Sequence, residues 1–352
     1  MDKVSLPLLE YRTMNTRPLG STGPSVSALG LGCMGMSDLY GPADEAESIA
    51  TVHAALDAGL NLLDTGDFYG MGANELLLRE ALKGRKREQA MLSVKFGALR
   101  DPAGGWVGID CRPASVKNFL AMTLRRLGTG YVDIYRPARI DPTVPIEETV
   151  GAIAEMVKKG YVRHIGLSEV GSETLRRAQA VHPIVDLQIE YSLISRGIEG
   201  DILPTCRELG IGVTAYGVLS RGLISGHWSK GTIANGGAAD FRSHLPRFAG
   251  ENLDRNLSLV EALRGLAQAK GATVAQVAIA WVLARGNDIV ALVGARRRDR
   301  LTEALGALEV TLSADEMVHI ERAVPPEAVA GGRYAPYAMA MLDSERGRAA
   351  SQ

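Results

Sequence analysis

Asn61-Leu-Leu-Asp-Thr-Gly-Asp-Phe-Tyr-Gly70 is followed, after a helical stretch at 73–83, by Ser93-Val-Lys-Phe-Gly97. Each begins in a short apolar run of strand type and ends in residues that break it, while the stretch between them repeats its apolar positions at helical spacing. Strand, helix and strand in that order form a βαβ unit, whose two strands lie parallel in one sheet. The same alternation extends in both directions. Strands are expected at 28–34, 60–64, 90–96, 132–136, 162–168, 186–191, 212–216 and 289–294. Helices are expected at 44–58, 73–83, 113–126, 147–158, 172–180, 201–209, 253–270 and 300–307.

Eight strand–helix pairs favour an α/β fold of the closed (β/α)8 or TIM-barrel type over an open doubly wound sheet. Such barrels need about 250 residues before insertions, so a chain of 352 residues holds one, read here as a single domain over 1–352. Three segments lie outside the repeat. Residues 14–28, with a Gly20-Ser-Thr-Gly23 turn, read as an N-terminal β-hairpin plugging the barrel floor. Residues 221–250, rich in Gly, Ser and Ala, read as a loop over the opposite, active-site end. Residues 325–352 read as an extra C-terminal arm. Loops that follow the strands gather at the C-terminal mouth of a barrel, where catalytic residues also gather.

A hydrophobic share of 46%, a charged share of 22% and a formal net charge of -1 give no electrostatic case for nucleic acid or an anionic membrane. No stretch approaches the roughly 20 apolar residues of a membrane span. The first residues, Met1-Asp-Lys-Val-Ser-Leu-Pro7, lack the apolar core of a signal peptide, which implies the cytoplasm. Cys33, Cys111 and Cys206 are scattered and without CxxC spacing, so neither a disulfide framework nor a zinc site is expected.

The chemistry gathers at strand ends. Asp64, Tyr69 and Lys95 fall at the ends of two successive strands. A phenol, with a reference pKa of about 10, gives up its proton more readily beside an ammonium, and a carboxylate keeps that ammonium charged and in place. Taken singly, each residue has an ordinary role: a turn-forming Asp, a half-buried Tyr, a solvated Lys.

Seven segments in order resemble the aldo-keto reductase family. They are Leu29-Gly-Leu-Gly-Cys-Met-Gly-Met36, Asp64-Thr-Gly-Asp-Phe-Tyr-Gly70, Val94-Lys-Phe-Gly97, Gly166-Leu-Ser-Glu169, Leu187-Gln-Ile-Glu-Tyr-Ser192, Thr214-Ala-Tyr-Gly-Val-Leu-Ser-Arg-Gly222 and Val293-Gly-Ala-Arg296. The resemblance covers roughly 17–323. It implies a metal-free barrel reductase that binds NADPH and passes hydride to the carbonyl of a small aldehyde or ketone. Tyr69 would be the general acid, Lys95 would lower its pKa and Asp64 would pair with Lys95.

One position departs from that pattern. Many relatives read His-Arg after the fourth strand, and this chain reads Ala138-Arg139. Losing one oriented donor to a developing oxyanion costs on the order of 3 kcal/mol. Four accounts stand open: water or a substrate hydroxyl fills the gap; Arg136 or Arg139 swings in; the pocket is enlarged for another acceptor; or carbonyl reduction is no longer the main role. The corresponding alternatives to a working reductase are a cofactor-binding regulatory or accessory subunit with weak catalysis and a reductase of another acceptor, such as a conjugated double bond.

By the same resemblance, Tyr216 would stack on the nicotinamide, while Ser168 and Gln188 would bind its carboxamide. Gly217, Leu219, Arg221 and Gly222 would wrap the pyrophosphate, and Gly32, Cys33, Met34 and Asp64 would also contact the cofactor. Gly294, Arg296, Arg300 and Glu303, where the last strand opens a helix, would hold the adenosine end. Arg296 and Arg300 are the candidates for the 2'-phosphate, which favours NADPH over NADH; Arg297 and Arg298 read as a solvated helix face. Phe68, Trp106, Ala138, Arg139 and Trp228 are the candidate walls of the substrate pocket, with Met34 a further apolar liner and Arg112 a further cation.

Overall fold

The computed structural model describes residues 14–37, 39–229 and 240–346. A hairpin, β1 (Thr16–Pro18) and β2 (Ser25–Ser27), leads into the first barrel strand, β3 (Leu29–Gly32). Then follow β4 (Leu62–Gly66) and β5 (Met91–Phe96), a second hairpin of β6 (Ala98–Arg100) and β7 (Trp106–Ile109), and β8 (Val132–Pro137). The barrel is completed by β9 (Val162–Ser168), β10 (Ile184–Glu190), β11 (Gly212–Tyr216) and β12 (Ile289–Gly294). The eight strands β3, β4, β5, β8, β9, β10, β11 and β12 pair in that order, all parallel, and β12 returns to β3 to close the sheet. Strands such as β4 and β10 are buried at every position, as expected of a sheet covered on its outer face by helices and filled within.

The helices are α1 (Glu45–Asp57), α2 (Ala73–Leu82), α3 (Pro113–Leu127), α4 (Ile146–Lys158), α5 (Ser172–Val181) and α6 (Ile202–Leu209). After them come α7 (Gly250–Ala269), α8 (Val274–Ala284), α9 (Arg298–Leu305), α10 (Ala314–Ala323) and the single turn α11 (Pro336–Met339). Three of these, α8, α10 and the turn α11, lie outside the sequence expectation. Helix α8 is almost wholly buried, so its sequence has no polar face to mark a helical period, and only the capping box of Thr273 and Gln276 announces it. Helix α10 opens with the same device, Ser313 and Glu316. Among the described residues no single helix is long and apolar enough to cross a membrane.

The barrel interior is layered. At the floor, Leu19 and Val26 of the hairpin pack against Leu62, Ile134 and Val290 from three different strands. The next layer is polar. Arg136 of β8, fully buried, donates to Asp186 Oδ2 of β10 at 3.0 Å and to Ser93 Oγ of β5 at 2.9 Å, and Thr214 of β11 donates to Asp186 at 2.5 Å. Gly166 makes room for this crossing, because a Cβ there would lie 2.4 Å from Asp186 Oδ1 and 3.1 Å from Arg136 Cζ. Above this layer, at the C-terminal ends of the strands, the candidate catalytic groups meet.

Candidate active site

Asp64 and Gln188 sit on strands four places apart around an eight-stranded ring, so their side chains approach across the barrel axis. Gln188 Nε2 donates to Asp64 Oδ2 at 2.7 Å, and Ser93 Oγ donates to the same oxygen at 2.9 Å. Lys95, from the neighbouring strand β5, forms a buried ion pair with Asp64 and donates to Gln188 Oε1 at 2.9 Å. All three side chains are buried. A buried carboxylate and ammonium are tolerable only when paired and hydrogen-bonded, and here both are.

Tyr69 enters from the turn after β4. Gly70 and Met71 both have φ of 54° and Gly72 has φ of 96°, a run of left-handed residues that reverses the chain and turns the Tyr69 ring inward. Met71, with a side chain, bears strain of about 1–3 kcal/mol in that conformation. The turn is pinned from below: Arg126 of α3 forms an ion pair with buried Glu75 of α2 and packs beneath Gly72, where a Cβ would come within 2.8 Å of its Cδ. The Lys95 ammonium lies over the Tyr69 ring face, 5.2 Å from its centroid.

Burial dominates the electrostatics of the Tyr69 phenol. Burial, followed by the Asp64 carboxylate, holds the phenol well above its ordinary range, and Arg139 is the cation that opposes them. Lys95 itself is pulled down by burial, with Asp64 working the other way. Its charge is directed at Asp64 and Gln188, so Tyr69 stands as a neutral acid.

Around the rim the placements vary. Phe68 packs edge-on against Tyr69 at 4.8 Å and against Trp106 at 6.3 Å between centroids, so Trp106 of the β6–β7 hairpin, 45% exposed, extends the apolar wall outward. Ala138, buried, is anchored by its amide to the Phe96 carbonyl at 2.8 Å. Met34 is half-buried and Cys33 buried, with its thiol pointed at the Leu31 carbonyl at 3.6 Å. Burial raises the Cys33, Cys111 and Cys206 thiols, and all three are free. Trp228 packs on Phe248 and under the Arg242 guanidinium, which also covers Tyr40.

The cofactor candidates fall into two groups. Ser168 on β9 is level with Gln188 on β10, and Tyr216, two residues further along β11, is level with Glu190. Gln188, however, spends both ends of its amide on Lys95 and Asp64, so it braces the acid pair instead of facing outward. Beyond Tyr216 the chain turns back through Gly217, Leu219, Ser220, Arg221 and Gly222; Ser220, Arg221 and Gly222 all have left-handed φ. A Cβ on Gly222 would meet Trp228 Nε1 at 2.9 Å, whereas one on Gly294, at the exposed end of β12, would meet nothing, and Gly32 lies beside Leu292.

At the far end, Arg300 and His227 share Glu303, the His227 Nε2 to Oε2 distance being 2.8 Å, and all three are accessible from outside. Arg296 donates to the carbonyls of Tyr40 and Gly41, while Arg297 pairs with Asp299 and Arg298 with Glu47. A stackable phenol ring at one end, a tight glycine-bearing turn in the middle and exposed guanidinium groups at the other suit a phosphate-bearing nicotinamide nucleotide.

Sequence reasoning missed the ionic cluster that frames Tyr216. Glu169, left-handed at φ 53° and buried, accepts from the Tyr216 hydroxyl at 2.7 Å and from Arg333 of the C-terminal arm at 3.0 and 2.9 Å. Tyr334 reaches the Tyr216 hydroxyl at 3.1 Å and lies under Arg221, whose guanidinium pairs with Glu190 at 3.0 Å. Arg247 donates to Ser195 at 2.7 Å and approaches Glu190 at 3.5 Å. Arg112 lies away from this group, exposed and paired with Asp110.

The sequence matches the Aldo/keto reductase family over residues 28–325. The chain belongs to the aldo-keto reductases. A probable aldo-keto reductase of Glycine max is 43% identical over 317 residues, 90% of each chain. The solved glycerol dehydrogenase of Gluconobacter oxydans superposes with a TM-score of 0.81 at 27% identity, covering 90% of this chain and 97% of that one. The aldo-keto reductase of Bacillus halodurans superposes with a TM-score of 0.74 at 29% identity, covering 89% and 97%. Membership makes the protein an oxidoreductase of a family that works with a nicotinamide nucleotide on small carbonyl compounds. The closed ring of eight parallel strands agrees with the sequence reading of a TIM barrel.

Proposed function

We propose that this aldo-keto reductase uses NADPH to reduce aldehyde or ketone carbonyls to alcohols, with Tyr69 as the general acid. The observation that carries the reading is the convergence of Tyr69, Lys95 and Asp64 at the C-terminal mouth, with Lys95 over the Tyr69 ring and locked by Asp64 and Gln188. Bound reduced nicotinamide supplies the hydride.

Everything else falls to the chain. Tyr216, fixed through its hydroxyl by Glu169, offers a flat ring on which to stack, and Ser168, level with Gln188 at the end of β9, is available for an amide. Arg221 and the turn from Gly217 to Gly222 hold the middle of the nucleotide. Arg300 and Arg296, with Glu303, receive the adenosine end, and the surplus of guanidinium there favours a 2'-phosphate over a bare ribose. Phe68 and Trp106 exclude water from the carbonyl, and Tyr69 gives its proton to the oxygen as charge develops there. Lys95 makes that transfer easier once the phenolate begins to form, because its ammonium is held in place before the reaction starts.

The test is NADPH oxidation by the purified protein with aromatic aldehydes, aliphatic aldehydes and ketones, beside Tyr69→Phe. Turnover that Tyr69→Phe abolishes supports the reading. Tight NADPH binding with no turnover on any carbonyl contradicts it.

A further inference from the structure

At the mouth of the barrel most guanidinium groups are paired with carboxylates. Arg333 pairs with Glu169 and Glu345, Arg221 and Arg247 with Glu190, and Arg136, one layer down, with Asp186. Arg139 forms no ion pair among the described residues; its guanidinium donates from Nη1 to the carbonyl of Ala138, at 2.6 Å. That bond folds the side chain back over residue 138. Burial works against the charge of this partly buried guanidinium, but Tyr334, Tyr216 and Glu169 outweigh it; with no carboxylate in direct contact among the described residues, its remaining N–H groups can meet an oxygen acceptor.

Arg136 is excluded from the same service. It is fully buried and its two terminal nitrogens are committed to Asp186 and Ser93. Arg139 has slack, and it acts on the proton donor: it is the cation that works against the rise in the Tyr69 pKa caused by burial and Asp64.

We propose that Arg139 donates the second hydrogen bond to the substrate carbonyl oxygen, the one for which Ala138 has no group. The proposal rests on the reductase reading and deepens it. In the step, the carbonyl carbon takes the hydride that the reduced cofactor loses, the π pair moves onto oxygen, and the Tyr69 proton completes the alcohol. The carbonyl gains two electrons and the cofactor is oxidised by two. Arg139 keeps its protons throughout, because a guanidinium in this setting is never an acid. It stabilises the oxyanion purely as a donor and leaves proton transfer to Tyr69.

The experiment uses the full chain with NADPH and two substrates, the neutral 4-nitrobenzaldehyde and the anionic 4-carboxybenzaldehyde. Arg139→Met is expected to lower kcat on the neutral aldehyde by about a hundredfold, while KM for that aldehyde and the NADPH affinity move by less than about threefold. The alkaline limb of the pH profile should shift upward as Tyr69 loses its opposing cation, an effect that a merely structural role would not produce. Arg139→Lys should retain part of the rate, and Ala138→His placed in the Arg139→Met background should restore much of it. Wild-type turnover that Arg139→Met leaves intact overturns the proposal. So does weaker binding of the anionic aldehyde as the sole effect, which would make Arg139 a holder of substrate carboxylates. Failure of the wild type itself to reduce either aldehyde overturns the underlying reductase reading, and this assignment with it.

Discussion

Arg333 of the C-terminal arm meets Glu169 at the end of β9 in a two-pronged ion pair, Nη1 to Oε1 at 3.0 Å and Nη2 to Oε2 at 2.9 Å. The same carboxylate accepts from Ser344 at 2.7 Å, from the amide of Glu190 at 3.0 Å and from the Tyr216 hydroxyl at 2.7 Å. A residue just past the eight-strand repeat therefore helps to fix the ring proposed to carry the nicotinamide. Arg333→Met should leave the buried Glu169 carboxylate without its main counter-ion and cost about 3–5 kcal/mol, read as a fall in Tm and in the denaturant midpoint. Glu169→Gln combined with Arg333→Met should cost less than the sum of the two single changes, and a double-mutant cycle measures the difference.

The pair also sets an acid dependence. Burial works to raise the Glu169 pKa, but Arg333, then Arg139 and the Tyr216 hydrogen bond, outweigh it and hold the carboxyl well below its usual range. A carboxylate depressed in the folded state contributes stability that is complete above the unfolded pKa of about 4.3 and is lost as pH falls toward the folded value. Tm measured from pH 7 down to pH 3 should fall more steeply below about pH 4.3 in the wild type than in the Glu169→Gln/Arg333→Met variant.

Asp67 has the opposite sign. Among the described residues neither of its carboxyl oxygens has a well-formed hydrogen bond, and burial first, then the Glu75 carboxylate, push its pKa up to about 8. The folded chain thus holds a proton that the unfolded chain releases near pH 3.9, so stability declines as pH rises from there to about 8. Asp67→Asn should be close to neutral at pH 5 and stabilising at pH 9, by on the order of 1–3 kcal/mol in chemical denaturation.

Two glycines should respond oppositely to alanine. At Gly166 the added methyl group collides with the Arg136–Asp186 crossing, so Gly166→Ala should destabilise the barrel by several kcal/mol or prevent folding. At Gly151, inside α4, a Cβ meets nothing, so Gly151→Ala should stabilise by about 0.5–1 kcal/mol. Thermal melts of the two variants check both.

The barrel was legible because its strands are short apolar runs closed by turn formers. Strands β9, β11 and β12 begin and end where the sequence expects them. Asp64 and Lys95 stood out because two adjacent strands end on them. Helix α8 was hidden by being apolar all round. The Glu169–Arg333 pair was hidden by a separation of 164 residues, since no local pattern links a strand end to an arm that returns to it. Gln188 shows a different limit: its strand-end position was visible, but the barrel geometry that turns its amide toward Asp64 was not. Much of the loop expected at 221–250 is described, but 230–239 lie outside the described residues, as do 347–352 of the arm.

The central claim is that Tyr69 protonates a carbonyl that NADPH reduces. The most direct measurement is single-turnover oxidation of bound NADPH by 4-nitrobenzaldehyde in wild type and Tyr69→Phe, with NADPH binding followed separately by fluorescence. The account predicts equal NADPH affinity and a loss of at least about a hundredfold in the chemical step on removing the hydroxyl. A Tyr69→Phe protein that reduces the aldehyde at the wild-type rate would contradict it.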